Sequence, residues 1–255
     1  MEQRQLTKKM EIKNISKTFF SKNGYFTAVE SVSFDVHDGE FLVLLGPGRC
    51  GKTVILNIIA GLEEATDGQI IYDGKEWKGT NPDIAMVFQK TALMPFKTVM
   101  QNVELGMKFR GVPKAQRQEV AQRYINLVGL QGFEKSYPSQ LSGGMKQRVG
   151  IARAYANSPK VLIMDEPFGA LDAQTRYSMQ EEILRIWEQE KRTVIFVTNN
   201  IEEACYLADR IVLLSDCPAK VKEVYPIDMP RPRDMVSRKF LDLRTRISDN
   251  TDLAI

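Results

Sequence analysis

Apolar residues fall along this chain in three rhythms. Phe41 to Leu45, Val161 to Met164, Thr193 to Val197 and Ile211 to Leu214 are short, nearly unbroken apolar runs, and each predicts a strand. Between residues 10 and 37 polar and apolar positions alternate instead, over Glu11 to Ile15 and again at Val32, Phe34 and Val36, with a turn signal at Lys22 to Gly24. That pattern predicts an antiparallel sheet leading into a parallel one. Asp67-Gly68 and Asp73-Gly74 bracket Ile70 to Tyr72 as a hairpin, and Ile84 to Phe88 forms the next strand. The third rhythm is helical. Ile55, Ile58, Ile59 and Leu62 mark a helix over 54–62; Val120, Tyr124, Leu127 and Val128 mark another, stopped by Gly129; Met179, Ile183, Ile186 and Trp187 mark a third. Leu141 to Arg148 opens a further helix that runs to about Asn157. From Lys90 to about Tyr137 the composition predicts a helical subdomain inserted into an α/β core. Beyond Pro218 the prolines at 226, 230 and 232 predict an extended tail with a short closing helix at most.

A chain of 255 residues, 43% hydrophobic and 26% charged, suits one core domain with a subdomain grafted on. Its longest apolar run is far below the ~20 residues of a membrane-spanning helix. The opening MEQRQLTKKM lacks the apolar segment of a secretion signal, so the expectation is a cytoplasmic protein. Cys50, Cys205 and Cys217 show no metal-binding spacing and are expected as reduced thiols. A net charge of +3 argues for no nucleic-acid partner. Arg231, Arg233, Arg238, Lys239, Arg244 and Arg246 give the tail a basic cast, interrupted by Asp234, Asp242 and Asp249, and are expected to be solvated. The lone histidine, His37, sits in a turn and is not a catalytic candidate.

The strongest chemical signal is GPGRCGKT, Gly46 to Thr53, between the strand over 41–45 and the helix over 54–62. A glycine-rich turn before a helix presents backbone N–H groups and the positive end of the helix dipole, which makes a polyphosphate site. Lys52 would reach the terminal phosphates and Thr53 would ligate magnesium. Other positions carry two readings each. Phe19 and Phe20 could face an adenine ring or pack in the core. Gln89 could be a plain strand end or face a metal and water. Ser142 is placed as an N-cap, and Gly143 and Gly144 leave N–H groups bare for either an ordinary helix start or a second phosphate contact. Asp165 and Glu166 end an apolar strand, as a capping pair or as a magnesium holder and a group that polarises water.

Taken in order, these pieces resemble the ATP-binding subunit of an ABC transporter, over about residues 10 to 215. Gly46 to Thr53 matches the Walker A loop, Gln89 the Q-loop, Leu141 to Arg148 the signature, Val161 to Glu166 Walker B, and Gly169-Ala170-Leu171-Asp172 the D-loop. The wording LSGGMKQR, MDEPFGALDAQTR, IEEACYLADR and MPRPRD is most similar to the nitrate, sulfonate and taurine importers. The resemblance implies a P-loop NTPase core with a RecA-like parallel sheet and an N-terminal antiparallel β-subdomain, built from residues 10–89 and 158–215. It also implies a helical subdomain with the signature over 90–157 and a tail over 216–255. It implies ATP and Mg2+ as ligands. Phe19, Gly46, Pro47, Gly48, Arg49, Cys50, Gly51, Lys52, Thr53 and Val54 would hold the nucleotide; Ser142, Gly143, Gly144 and Gln147 would complete a partner's site. Thr53, Gln89 and Asp165 would serve the metal, and Glu166, Gln89 and Asn199 the hydrolysis. The implied partners are a second ATP-binding subunit, membrane permeases seated near the Gln89 segment, and, indirectly, an external substrate-binding protein. The implied location is the cytoplasmic face of the membrane.

Two positions depart from the family pattern. Asn199 stands where the family has a histidine that contacts the γ-phosphate, and Gly48-Arg49 where it has Ser-Gly. An amide can donate a hydrogen bond but carries no charge. A non-glycine residue at a left-handed position costs ~1–2 kcal/mol. Two readings follow: a working ATPase of an anion importer, or a subunit with a degenerate site of its own whose intact signature serves a different partner chain. A module that binds ATP without hydrolysing it is a third class. DNA-repair ABC ATPases need a long heptad insertion that is absent here, translation-type proteins carry two such domains in one chain, and kinases and GTPases have no use for LSGGMKQR.

Overall fold

The computed structural model describes residues 7–22, 24–169 and 171–252. Asn23, within the turn expected at Lys22 to Gly24, lies outside the described residues, as does the start of the N-terminal segment. The chain divides into two units, residues 1–81 with 192–255, and residues 82–191.

The first unit holds two sheets. β1 (Lys8–Ser21) and β2 (Gly24–His37) form a long antiparallel hairpin, joined through β1 by β4 (Asp67–Tyr72) and then β5 (Lys75–Trp77), in the order β2-β1-β4-β5. Alternation along these strands buries Met10, Ile12, Val32, Phe34 and Val36, and register shifts on either side of Ile15 break the period so that it too is buried. The second group runs β10 (Val221–Pro226), β9 (Arg210–Leu214), β3 (Phe41–Leu45), β8 (Thr193–Thr198). β3 pairs in parallel with both β8 and β9, and every residue of β3 is fully buried, which is why its sequence is an unbroken apolar run. α1 (Lys52–Ile59) follows β3, and α7 (Ile201–Leu207) follows β8.

The second unit carries the parallel pair β6 (Ile84–Val87) and β7 (Val161–Asp165) with five helices: α2 (Val99–Val103), α3 (Leu105–Phe109), α4 (Lys114–Leu127), α5 (Gly143–Ala156) and α6 (Ala173–Glu190). α6 buries Met179, Ile183, Ile186 and Trp187, the face its 3.6-residue rhythm predicts. α4 turns slightly from expectation, burying Ala121, Tyr124 and Ile125 rather than Leu127. Asn102 staples the chain before α2: it accepts from the N–H of Met94 and donates to the carbonyls of Met94, Lys97 and Thr98.

The C-terminal stretch corrects the expectation of an extended, solvated tail. Residues 221–226 add β10 to the edge of β9, and a helix of 13 residues, α8 (Arg238–Asn250), starts on Ser237, whose hydroxyl accepts from the N–H of Phe240. Phe240 and Ile247, seven residues apart, supply its buried stripe. The basic residues are largely paired within the unit: Arg231 with Asp209, Arg244 with Glu202, and Arg246 with Glu223. Their partners lie 22 to 42 residues away in sequence, so a local reading of charge runs could not reveal them.

Candidate nucleotide site

In the first unit the loop from Gly46 to Gly51 starts at the carboxyl end of β3 and delivers the chain into α1. Gly46, Pro47 and Cys50 are buried, whereas Gly48, Arg49 and Thr53 face outward. α1 begins on Gly51, has no side-chain cap and carries no acidic residue in its first turn. By contrast α5, α6, α7 and α8 begin on Ser142, Asp172, Asn200 and Ser237, each accepting from a first-turn N–H. An uncapped helix start with a glycine entrance has the chemistry of an anion site.

Gly51 sits at φ 114, and a Cβ there would stand 2.6 Å from the carbonyl oxygen of Ala28 and 3.2 Å from Cβ of Ala219. Ala28 lies on β2, and Ala219 in the turn between β9 and β10, so two distant segments brace the loop from behind. Neither was expected from sequence, because an alanine in a strand carries no chemical signal. Lys52 is 4% exposed, and its ammonium donates to the carbonyls of Gly46 (2.8 Å) and Pro47 (2.5 Å), so the loop curls around its own cation. Arg49 adopts φ 64, the left-handed conformation that the family's glycine would take without strain.

The parallel register Leu45↔Thr198 sets the loop that follows β8 beside the one that follows β3. Asn199 is therefore exposed at the same sheet edge as the phosphate loop, followed by Asn200, which caps α7 by accepting from the N–H of Glu203 at 3.0 Å. Phe19 is 38% exposed near the end of β1, opposite Phe26, with the Lys17 ammonium 5.0 Å from its ring centre. Phe20, Tyr25 and Phe26 are more exposed still, so the end of the hairpin is aromatic on both strands. Burial raises the Cys50 thiol pKa and pushes that of Cys205 up to about 12, leaving both as protonated thiols.

The second unit holds the carboxylates. β7 ends on Asp165, only 6% exposed, and Glu166 follows at φ 40, a strained setting for a residue with a side chain. The side-chain amide of Gln89 donates to Glu166 at 3.4 Å, which brings two of the expected hydrolytic residues together. Beyond Gln89 the segment is pinned to α5 by Arg153, which donates to the carbonyls of Thr91 and Ala92 at 2.9 Å. At the signature, Ser142 accepts from the N–H of Met145 at 3.3 Å, and Ser142 and Gly143 are exposed. Gln147 is set apart from them: it is 3% exposed, inside the helical unit, so its amide is not on the surface with the helix start. Asp172 caps α6 through the N–H of Thr175, which holds its carboxyl below the ordinary carboxylate range. Ala170 of the D-loop lies outside the described residues.

The sequence profile described as ABC transporter matches residues 29–169, more than half of the chain. This chain belongs to the ABC transporter ATP-binding family. It is 49% identical to an uncharacterized ABC transporter ATP-binding protein of Methanocaldococcus jannaschii, over 94% of this chain and 90% of that one. It is also 41% identical to an aliphatic sulfonates import ATP-binding protein of Bacillus anthracis, over 93% of this chain and 94% of the relative. Among solved structures it is similar, at TM-score 0.77 and 30% identity, to a dimeric ATP-binding cassette in a post-hydrolysis state bound to ADP and Pi, over 87% of this chain and 100% of that one. The α/β cassette fold expected from sequence is thus the fold observed, and the cassette is a nucleotide-binding ATPase coupled to transport. No helix among the described residues is long and apolar enough to cross a membrane.

Proposed function

We propose that this cassette hydrolyses ATP to drive import of a small organic anion of the aliphatic sulfonate class. The observation that carries the ATP chemistry is the uncapped start of α1, with Lys52 folded over the carbonyls of its own loop. On meeting a triphosphate, Lys52 exchanges those carbonyls for phosphate oxygens, and the first-turn N–H groups bind the remaining charge. Magnesium is a hard ion that takes oxygen donors: the resemblance assigns it the Thr53 hydroxyl of the first unit and the Asp165 carboxylate and Gln89 amide of the second, and when bound it would neutralise charge on the phosphates. Glu166 orients the attacking water and takes its proton, Gln89 holds the Glu166 carboxylate, and Asn199 donates a hydrogen bond to the terminal phosphate. Phe19 offers a ring face to adenine.

The solved relative is a dimer, which supports a sandwich in which Ser142, Gly143 and Gly144 of one cassette complete the nucleotide site of another. The helical unit presents a cleft of about 500 Å³ lined by Met86, Phe88, Met94, Phe109 and Arg153, among others. Its rim exposes Phe109 (81%), a hydrophobic surface suited to a permease helix. In this reading an external binding protein delivers the cargo, and the cassette works peripherally at the cytoplasmic face. The domain assignment that goes with it is a nucleotide-binding core over 10–89 and 158–215 and a permease-facing helical part over 90–157. Reconstitution with its cognate permeases and binding protein tests the assignment. Alkanesulfonates should stimulate phosphate release, and Glu166→Gln should abolish it; stimulation only by an unrelated cargo overturns the sulfonate class.

One observation favours a second reading. Arg49 at φ 64 and the exposed amide of Asn199 lie on the same half of the site, the half this chain supplies to its own nucleotide. A partner cassette of different sequence would then carry the faster site. Isolation of the assembled transporter distinguishes the two: one kind of ATP-binding chain supports the first reading, two kinds the second.

A further inference from the structure

Residues 227–250 have no part in the chemistry above, yet they grip one short helix at both ends. α7 begins two residues after Asn199. The last carbonyls of a helix have no partner within it, and in α7 two guanidinium groups take them. Arg233 donates to the carbonyls of Cys205 and Tyr206, both at 2.9 Å, and Arg231 to that of Leu207. Arg233 is 7% exposed and meets carbonyls rather than a carboxylate; burial, with the charge of Arg231 beside it, lowers its pKa to about 10. Keeping a cation in such a place is costly, so a surface residue would not have done instead. Arg231 also pairs with Asp209, whose other oxygen accepts from the N–H of Phe41, the first residue of the strand that leads to the phosphate loop. At the opposite end Arg244 of α8 pairs with Glu202 in the first turn of α7 at 2.7 Å.

Seven residues are too few to hold a helix in place by themselves. Burial of Ala204, Cys205, Tyr206 and Leu207 keeps α7 against the unit, but apolar contact is non-directional and resists sliding or rotation poorly. Directional bonds at both ends do resist it. We propose that the Arg231–Arg233 strap and Arg244 form a clamp that fixes the axial position of α7 and so aims Asn199, which makes these three arginines positioning residues for ATP hydrolysis. The proposal rests on the reading that Asn199 contacts the terminal phosphate.

The test uses the full-length chain with Arg233→Met and Arg244→Gln, each with Asn199 intact and in an Asn199→Ala background. ATP turnover and amide exchange over residues 201–207 are measured. With Asn199 present, Arg233→Met should lower kcat about tenfold and Arg244→Gln about threefold, while KM for ATP stays within about twofold. In the Asn199→Ala background the same changes should cost less than about twofold. Exchange over 201–207 should rise in both variants, with residues 41–60 unchanged. If Arg233→Met does not fold, Arg244→Gln, at a half-exposed pair, carries the same comparison. Equal losses in both backgrounds, or unchanged exchange over 201–207, overturn the clamp while leaving Asn199 in its role. Full turnover by Asn199→Ala overturns that role, and the aiming with it.

Discussion

The phosphate loop and the signature loop are both glycine-rich turns that open a helix, and they solve the same local problem in opposite ways. At the signature the chain caps itself: Ser142 takes the N–H of Met145, and a Cβ on Gly143 would meet nothing within 4 Å. At the phosphate loop α1 starts without a side-chain cap, the glycine at its entrance is hemmed in by Ala28 and Ala219, and a buried lysine lies across the loop carbonyls. One helix start spends a first-turn N–H on its own serine; the other has no side chain of its own to do so. The pair teaches that a Gly-Gly or Gly-Lys signature in sequence says little about anion binding until it is known where the first-turn N–H groups already go.

The sharpest way to break this contrast is to remove the cation. Lys52→Ala should reduce ATP turnover on the order of 10²–10³-fold and weaken nucleotide binding by the isolated chain. Ser142→Ala should leave binding by the isolated chain unchanged and slow only the assembled pair; phosphate release and nucleotide titration separate the two. Next come the glycines. Gly51→Ala forces a Cβ toward a backbone oxygen at a left-handed φ and should cost ~1–3 kcal/mol in denaturant unfolding. Gly143→Ala should cost nothing and gain ~0.5 kcal/mol. Equal outcomes at the two glycines would erase the distinction.

Arg49→Gly relieves the left-handed residue of the phosphate loop and should raise stability by about 1 kcal/mol, seen as a higher Tm. It should also speed turnover if the degenerate reading holds. The smallest effect concerns Asp172, the cap of α6. Its folded pKa is depressed by the N–H and hydroxyl of Thr175, so its contribution is present above the unfolded value near ~3.9 and is lost as pH falls through the folded one. Asp172→Asn should therefore lower stability slightly at pH ~7, converge on the parent protein in acid below the folded pKa, and so flatten the acid limb, as measured by unfolding at a series of pH values.

Helix and strand rhythms and the GPGRCGKT spacing were legible in the chain because they are local: the stretch of α6 from Met179 to Trp187, about two and a half turns, and five consecutive residues of β3 each bury the residues their period predicts. Ser142 as a cap was legible for the same reason. What local reading missed depends on partners far along the chain. Prolines argued against structure after residue 218, yet β10 forms because an edge strand tolerates them, and α8 forms around two buried residues spaced seven apart. The burial of Gln147, which the signature resemblance names with Ser142 and Gly143, was likewise not visible in the spacing.

By itself, then, the order of residues determined which segments curl, which extend and which loop can cradle phosphate, since those outcomes depend on neighbours within a few positions. Only the folded chain decided that Ala28 and Ala219 press on Gly51, that Arg49 takes a left-handed turn, and that the tail's arginines grip α7 rather than water. Those outcomes depend on burial and on bonds between segments up to 191 positions apart, and no rhythm along the chain encodes them.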